Sequence, residues 1–238
     1  MTREGADASP RRGRPPAKAA SKEPVRQAPR RRRDGDATRA RILDVAIREF
    51  ASNGFNGARV DAICRNAQVN PRMIYHYFGD KAGLYVSVLE EVLGELRREE
   101  LKLEVDHVEP LEGILSLFHF IHKHFGRHEE LISLLSGENL LEARFLRRST
   151  DAPIKASPLI ALIAGLLRRG EQSGTFRSGI DPLVLYVAMA SLSYFHRSNV
   201  HTLSSIFQHN LKAPAWQAAQ RRLAEDMISR VLLRDPGP

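Results

Sequence analysis

The sequence predicts an all-α fold, and three observations carry this prediction. Apolar residues recur at spacings of three and four along most of the chain after residue 37, which is the period of an amphipathic helix. Asn70-Pro71 and Asp181-Pro182 each place a capping side chain directly before a proline, a common start of a helix. No alternation of apolar and polar residues with a period of two persists, so strands are not expected.

The first predicted helix begins just before Thr38 and ends at Asn53-Gly54. Thr38 is a suitable N-cap because its hydroxyl can accept a bond from a free N–H of the first turn. Ile42 and Phe50 lie on the apolar stripe of this helix. Gly54 follows the last periodic residue, where a left-handed C-cap is common.

Two short helices joined by a tight turn follow, the first from Val60 to about Ala67 and the second from Asn70-Pro71 to Phe78. Ile74 anchors one side of the second helix, which leaves polar and aromatic side chains on its other faces. This pattern is typical of a helix-turn-helix, in which the second helix enters the major groove of DNA. The side chains available to the groove are Arg72, Met73, Tyr75 and His76.

A longer helix follows this unit. Asp80 is its predicted N-cap and Lys81 lies in its first turn, where a helix N-terminus and a lysine together favour a phosphate oxygen. The helix is expected to continue to about Glu104, and it becomes heavily charged after Glu95. It would therefore join the helix-turn-helix to the rest of the chain.

The C-terminal two thirds of the chain is also helix-patterned. Pro110 opens one segment, Gly126 and Gly137 mark predicted turns, and a last helix follows Pro214 and runs to about Leu233. The predicted helices 157–173 and 181–197 are apolar on more than one face. A helix that is apolar all round is buried on both sides, so these two helices are expected to face the domain core and a second subunit.

The N-terminal half resembles the tetracycline-repressor (TetR) family of regulators. The resemblance covers about 50 residues, and the residues that carry it are 42–50, Gly54-Phe55, Ile63-Cys64, Ala67-Gln68-Val69, 74–78, Lys81 and Leu84. Gln68 replaces the usual turn glycine and is expected to adopt an unusual backbone geometry. Ala58 and Arg59 stand where the family has Thr or Ser, so Arg59 is expected to supply the phosphate contact instead.

The resemblance implies a ligand-responsive transcriptional regulator that binds a palindromic DNA operator as a homodimer and is released by a small-molecule effector. Repression is the usual outcome in the family, and activation is the alternative. Phosphate contacts are assigned to Arg59, Tyr77 and Lys81, and groove contacts to the second helix of the motif. The complete predicted interface on the folded domain is Arg59, Asn70, Pro71, Arg72, Met73, Tyr75, His76, Tyr77 and Lys81.

The expected domains are a disordered basic tail at 1–36, a DNA-binding domain at 37–83 and a ligand-binding and dimerisation domain at 84–238. The sequence around residues 191–204 also resembles a subgroup that includes the pyrimidine-utilisation repressor, which suggests a small planar polar ligand. Ligand pockets between helices are mostly apolar with a few placed polar groups. The candidate ligand residues are Phe118, His122, Phe125, Asn139, Arg144, Tyr186, Tyr194, His196 and Asn199.

The charge of the chain is concentrated in its N-terminal tail. Residues 1–36 hold eleven Lys/Arg and five Asp/Glu, a net charge of +6, whereas the other 202 residues hold 25 and 23, a net charge of +2. Arg12 and Arg14, in the sequence Arg-Gly-Arg-Pro, resemble the core of an AT-hook and are candidate minor-groove contacts. A tail that only releases counterions from DNA is the alternative.

Other classes of protein find little support. No nucleophile–base pair, paired buried carboxylates or Gly-rich phosphate loop indicates an enzyme, and no cofactor is expected. His124 and His128 share a helix face, but no cysteine or carboxylate is expected nearby to complete a tight ligand set, so no metal is expected. The single cysteine, Cys64, and the lack of a signal peptide or membrane span indicate a cytoplasmic protein. A non-specific DNA-coating protein is the remaining rival.

Overall fold

The computed structural model describes residues 28–151 and 157–234, with side chains from residue 34 onward. Over these residues the chain is helical, and its one β-bridge joins Phe176 to Leu233, so the predicted all-α fold is confirmed. The helices are α1 Ala28–Gly57, α2 Val60–Ala67, α3 Pro71–Phe78, α4 Lys81–Glu100, α5 Pro110–Arg127, α6 Glu129–Leu140, the 3-10 helix η1 Leu146–Arg148, α7 Pro158–Gln172, α8 Pro182–Ser198, α9 Val200–Ile206 and α10 Pro214–Leu232.

Helix α1 begins ten residues earlier than predicted, so the proposed Thr38 cap is wrong. The Thr38 hydroxyl instead donates to the carbonyl of Asp34 at 2.8 Å, inside the helix. A threonine can bond the carbonyl one turn back as readily as it caps, and this is why sequence alone misplaced the start. Residues 28–36, which were assigned to the tail, belong to this helix, and residues 1–27, with Arg12 and Arg14, lie outside the described residues.

The break near the end of α1 occurs at Gly54, as predicted, but this glycine does not have the left-handed helical conformation that was expected of a C-cap. Gly54 has φ 63° and ψ 176°, a region that side chains strongly disfavour. The chain then makes one more turn to Gly57 before α2 begins.

The turn between α2 and α3 has the unusual backbone geometry that was predicted for Gln68, the residue that replaces the usual glycine. Gln68 lies in the left-handed region, with φ 54° and ψ 48°, and its N–H donates to the Arg65 carbonyl at 3.2 Å. Arg41 of α1 donates through Nε to the Ala67 carbonyl at 2.9 Å. This bond fixes the turn to α1, and α3 is positioned with it.

The predicted caps of α3 and α4 are confirmed. Asn70 Oδ1 accepts from the Arg72 N–H at 2.9 Å, and Pro71 occupies the first turn of α3. Asp80 Oδ1 accepts from the Gly83 N–H at 2.6 Å at the start of α4. Caps of this kind each stabilise a helix by about 1 kcal/mol.

Helix α4 ends at Glu100 rather than Glu104. The Glu100 side chain is buried, pairs with Arg97 and accepts from the Ser157 hydroxyl at 3.1 Å. Beyond it the chain leaves the helix so that Leu103 and Val105 pack against the core. Arg169 of α7 donates to the Val105 carbonyl at 2.8 Å and holds this connection in place.

The positions predicted as turns near residues 126 and 137 lie inside helices, so that prediction is wrong. Gly126 belongs to α5 and Gly137 to α6, and the true turns are at His128 and after Leu140. Glu142 and Ala143, just after α6, both have positive φ, 53° and 55°.

An aromatic cluster joins the N-terminal helices to the rest of the protein. It consists of Phe50 and Phe55 of α1, Tyr85 of α4 and Phe145 from the segment after α6. The Phe55 and Phe145 ring centroids are 4.2 Å apart, and those of Phe50 and Tyr85 are 4.8 Å apart. Burial, followed by the nearby charge of Glu138, raises the pKa of Tyr85 to about 12. The N-terminal helices therefore share a core with α4 and with the end of α6.

The apolar faces left exposed lie on α8 and α10, not on α7 and α8 as predicted. The apolar side chains of α7, including Leu159, Ile163 and Leu166, are buried by other helices of the same chain. The exposed apolar residues of α8 are Leu183, Val184, Val187 and Phe195, and those of α10 are Leu223, Met227 and Val231. In the part of the chain that the structure describes, no helix has both the length and the apolarity to span a membrane.

Candidate DNA interface and effector cavities

Helix α3 has one buried apolar side and a larger exposed surface of polar and aromatic side chains. Ile74 is fully buried and Phe78 nearly so, and the helix packs against α2 and α4. Arg72, Tyr75 and His76 are exposed, with 59% of the Tyr75 surface accessible. Asn70 and Pro71, at the start of the helix, are exposed as well.

Two of the predicted contact residues, Met73 and Tyr77, lie beside this surface and are half-buried. Met73 and Tyr77 both pack against the core and remain partly exposed, so only part of the Met73 side chain is available to a groove. The Tyr77 ring meets that of His76 edge-on at 5.0 Å, and its hydroxyl lies close to Gly35 of α1. The hydroxyl therefore points along α1 rather than along the exposed face of α3.

Arg59 and Lys81 lie on either side of the helix-turn-helix. The Arg59 N–H donates to Glu49 Oε1 at 3.0 Å, while its side chain is exposed at the start of α2. Lys81 Nζ donates to the Asn56 carbonyl at 3.4 Å and lies 5.0 Å from the Phe55 ring centroid. An ammonium has three N–H donors, so Lys81 keeps two for an external acceptor.

Three cavities among the C-terminal helices lie close to predicted ligand residues. The polar cavity, about 250 Å³, lies between α6, α8, α9 and α10. Its lining includes Glu129, Ile132, Ser133, Ser136, Arg197, Val200, Lys212 and Gln217. The basic cavity, about 480 Å³, is lined by His119, His122, Lys123, Gly126, Arg127, Arg197 and Arg221. The two cavities share Arg197.

The apolar cavity is the third, about 580 Å³, between α8, α9 and α10. Its lining includes Leu192, Phe195, His196, Leu203, Phe207, Leu211 and Trp216. One of these side chains, Phe195, belongs to the exposed apolar surface of α8, so this cavity opens next to the uncovered face of α8.

The predicted ligand residues divide between these cavities and other places. His122 lines the basic cavity, His196 lines the apolar cavity, and the Tyr194 hydroxyl bonds Ser136 of the polar cavity at 2.6 Å. The other candidates line none of the three cavities: Phe118 and Phe125 are core residues, Tyr186 is half-buried, Asn199 bonds the Phe195 carbonyl, and Asn139 and Arg144 are exposed.

Sequence analysis missed Arg197, Ser133 and Ser136. Arg197 belongs to the segment that resembles the pyrimidine-utilisation subgroup, yet nothing in its spacing marks it as inward-pointing. Ser133 and Ser136 lie on α6 between apolar residues, a pattern equally typical of a solvent-facing helix. Their role becomes visible only when α5, α6 and α8 are packed together.

The buried histidines near these cavities are neutral at neutral pH. Burial first, and then the charges of Arg197, His196 and Arg221, lowers the pKa of His122 to about 4. Burial likewise lowers the pKa of His196, whose Nε2 lies 3.2 Å from Gln217 Oε1. Neutral imidazole rings can donate from one nitrogen and accept at the other.

A cluster of possible metal ligands exists where sequence analysis expected none. Glu99 of α4 meets His124 and His128 of the α5 end, and their ligand atoms lie within 4.8 Å of one another. The expectation that no carboxylate is near these histidines is therefore wrong, because Glu99 is distant in sequence but adjacent in the fold. His124 Nδ1 lies 2.9 Å from Glu99 Oε2, and this hydrogen bond links α4 to α5.

A three-helix unit whose second motif helix is capped and exposed, packed against a larger helical region with cavities, is the arrangement of a helix-turn-helix DNA-binding regulator. Residues 42–88 match the family described as bacterial regulatory proteins, tetR family, and residues 110–228 match the tetracyclin repressor-like C-terminal domain. The chain belongs to the TetR family, whose members are ligand-responsive DNA-binding transcriptional regulators, and it is one of these regulators.

Curated relatives support the same assignment along nearly the whole chain. The HTH-type transcriptional repressor NicS of Pseudomonas putida is 34% identical over 204 residues, which cover 86% of this chain and 96% of that protein. The regulator RutR of Escherichia coli is 26% identical over 174 residues, 72% of this chain and 79% of RutR. The crystal structure of SCO4942 from Streptomyces coelicolor shares the fold, with a TM-score of 0.61, 22% identity, and coverage of 84% of this chain and 99% of that one.

Proposed function

We propose that the protein is a homodimeric repressor that places α3 in the major groove of an inverted-repeat operator and leaves DNA when a small molecule binds its C-terminal domain. The exposed face of α3 carries this proposal, because Arg72 and His76 project from a helix whose caps and buried residues fix its position. Two relatives are named transcriptional repressors, which supports repression rather than activation. Residues 37–83 form the DNA-binding domain and 84–238 the effector and dimerisation domain, and the protein acts in the cytoplasm.

The contacts divide between bases and phosphates. Arg72 and His76 meet base edges, because they are the polar side chains at the exposed start and middle of α3. A bidentate arginine–guanine contact contributes about 1–3 kcal/mol of discrimination. Asn70, Pro71 and Tyr75 contact the groove walls, and Met73 contributes only its exposed edge.

Phosphate contacts come from three separate elements. Arg59 at the start of α2, Tyr77 near α1 and Lys81 at the start of α4 surround α3 and set its register, as phosphate contacts do. Arg12 and Arg14 of the basic tail follow the adjacent minor groove, where a narrow groove attracts arginine. Tail contacts add affinity that falls steeply with salt.

Dimerisation uses the exposed apolar faces of α8 and α10. Leu183, Val187, Phe195, Leu223 and Met227 form a surface on these two helices that a monomer leaves in water. Burying such a surface against its copy gives a two-fold interface, in which the same patch serves both subunits. The two α3 helices must then lie about 34–36 Å apart to bind half-sites one DNA turn apart.

Helix α6 is the best candidate to carry the effector signal. Ser133 and Ser136 of α6 line the polar cavity, and α6 also packs against α1. At its end, Glu138 Oε2 accepts from the N–H groups of Phe145 at 3.2 Å and Leu146 at 2.8 Å. A ligand that displaces α6 thus moves Phe145 in the aromatic cluster, and this displaces α1. Couplings of about 1–3 kcal/mol between two sites are typical.

The experiment that tests this function is selection of bound sequences from a random duplex pool with the full chain. We expect enrichment of an inverted repeat whose half-sites are one helical turn apart. Binding without an enriched motif, and with strong salt sensitivity, would instead support the non-specific DNA-coating protein and contradict the proposal.

A further inference from the structure

We propose that the effector is a small organic carboxylate whose anionic group binds Arg197 between the polar and basic cavities. This inference rests on the proposed function, because it names the ligand class for the same effector domain. It follows from the state of Arg197 and of the groups around it.

Arg197 is a half-buried cation for which the described residues supply no hydrogen-bond or ion-pair partner. Among the described residues, its guanidinium makes no hydrogen bond or ion pair, and its Nε is buried without an acceptor. Burial lowers the pKa of Arg197, and the exposed Glu129 opposes this only at a distance. Buried charges in proteins are paired or bind a ligand, because an unpaired charge loses its hydration without compensation.

The surroundings of Arg197 attract an anion. The basic cavity adds Lys123, Arg127 and Arg221 to its charge. Glu225, a carboxylate close to this cavity, already interacts with His119 at 2.8 Å and with Arg221 at 3.3 Å. A concave surface of one sign concentrates ligands of the opposite sign and speeds their entry.

The other buried polar groups near Arg197 favour a ligand with one negative charge over a ligand with two. His122 Nε2, His196 Nδ1 and Gln220 Oε1 are buried without a hydrogen bond of good geometry among the described residues, although Gln220 lies close to His122 and the backbone of Leu192 lies close to His196. Because His122 and His196 are neutral, the interior of the site offers one cationic fork and several uncharged partners. A guanidinium matches a planar carboxylate with two parallel bonds, which favours a carboxylate over a phosphate dianion.

Gly126 holds the guanidinium in place. A β-carbon at this position would lie 3.1 Å from Arg197 Nη2, so the absent side chain lets Arg197 lie directly on the backbone of α5. The arginine is thereby preorganised, which reduces the entropy lost when a ligand binds. The polar cavity, at about 250 Å³, is near the lower limit of about 300 Å³ for ligand sites, so the ligand is compact.

The test uses the full chain, its single tryptophan and a selected operator duplex. Trp216 lies next to His196, with ring centroids 5.6 Å apart, and its fluorescence reports on occupancy. Benzoate and phenylacetate are titrated against benzamide and phenylacetamide, with inorganic phosphate as a further probe. We expect at least one carboxylate to change the fluorescence and release the operator, with its amide at least tenfold weaker.

Variants assign the effect to Arg197. Arg197→Gln should lose carboxylate binding at least tenfold, keep operator binding and unfold at an equal or higher temperature, since it removes an unpaired cation. A purely structural arginine would instead lower the unfolding temperature. Gly126→Ala should weaken the same carboxylate, and Arg168→Gln, an exposed arginine on α7 outside both cavities, is the matched control and should behave as wild type.

The outcomes separate this inference from the proposed function. Intact operator binding with no response to any carboxylate, with equal responses to acid and amide, or with full carboxylate binding by Arg197→Gln would overturn the carboxylate proposal alone. A stronger response to phosphate than to every carboxylate would overturn it as well. Loss of operator binding in the wild-type protein would overturn the proposed function.

Discussion

Gln68 shows how a single residue can carry strain in a functional motif. It has positive φ, 54°, between the two helices of the helix-turn-helix, where a glycine would fit without penalty. A left-handed backbone costs a residue with a β-carbon about 1 kcal/mol. The motif tolerates this cost because Arg41 binds the Ala67 carbonyl and holds the turn.

Gln68→Gly is therefore expected to raise the free energy of unfolding by about 0.5–1 kcal/mol in urea denaturation. The matched control is Gly54→Ala, which places a β-carbon at φ 63° and should lower it. A decrease for Gln68→Gly would show that the glutamine side chain, and not backbone strain, dominates at this position.

Arg72→Ala is expected to weaken operator binding by about 1–3 kcal/mol and to relax the preference at one base position of each half-site. Lys81→Ala should weaken binding to all sequences alike and lower the salt dependence, because it removes a phosphate contact. Competition titrations with single-base operator variants measure both effects. A uniform loss for Arg72→Ala would remove it from the base-contacting group.

His122 makes stability depend on pH. Its pKa is about 4 in the folded protein and near 6.5 when unfolded, so the unfolded chain binds the extra proton between these values. This contribution is complete above pH 6.5 and is lost as the pH falls toward 4, with a slope of about 1.4 kcal/mol per pH unit at most. His122→Gln should reduce the slope measured by urea denaturation between pH 7 and 5. An unchanged slope would contradict His122 as its source.

Local chemistry explains which residues could be assigned from sequence. Asn70, Asp80 and Asp181 cap their helices as predicted, because a cap depends on a few adjacent residues and a following proline or turn. Thr38 was misassigned because threonine fits both a cap and a helix interior. The environment of Arg197 could not be predicted, since it depends on α5 and α6, far away in the chain.

At the scale of elements, the distribution of apolar residues decides which helices are covered by the chain itself. Helix α7 is apolar on most sides because α5 and α8 both pack on it. Helix α10 carries a narrower apolar stripe among arginine, glutamine and acidic residues, so its exposed Leu223 and Met227 were not singled out from sequence. A helix that is apolar all round is expected to be buried, but its sequence does not show whether the same chain or a second subunit covers it.

Val187→Arg and Met227→Arg are expected to convert the dimer into monomers, because each places a charge at the centre of the proposed α8–α10 interface. Sedimentation velocity measures the change, and circular dichroism checks that the fold is retained. Leu140→Arg is the matched control, since Leu140 is 87% exposed on α6 and lies outside this surface. A dimer that persists in both interface variants would place the interface elsewhere.

At the scale of the whole molecule, the fold class and the DNA-binding motif could be predicted, but the route between effector and DNA could not. Periodicity and caps are local, whereas Phe55, Tyr85 and Phe145 meet only because α1, α4 and the end of α6 converge. The cavities depend in the same way on the packing of α5, α6, α8 and α10. The two parts of the chain share a core, which connects them rigidly. Such a connection is required if a ligand in the C-terminal domain is to change the distance between the two α3 helices of the dimer.

The most direct test of the account is the affinity of the protein for operators in which the spacing between half-sites is varied. Two α3 helices fixed by one dimer require half-sites about one turn apart on the same face of DNA. Inserting five base pairs should therefore reduce affinity at least tenfold in an equilibrium titration, because it turns one half-site to the opposite face. Unchanged affinity after this insertion would contradict a dimer with two fixed recognition helices.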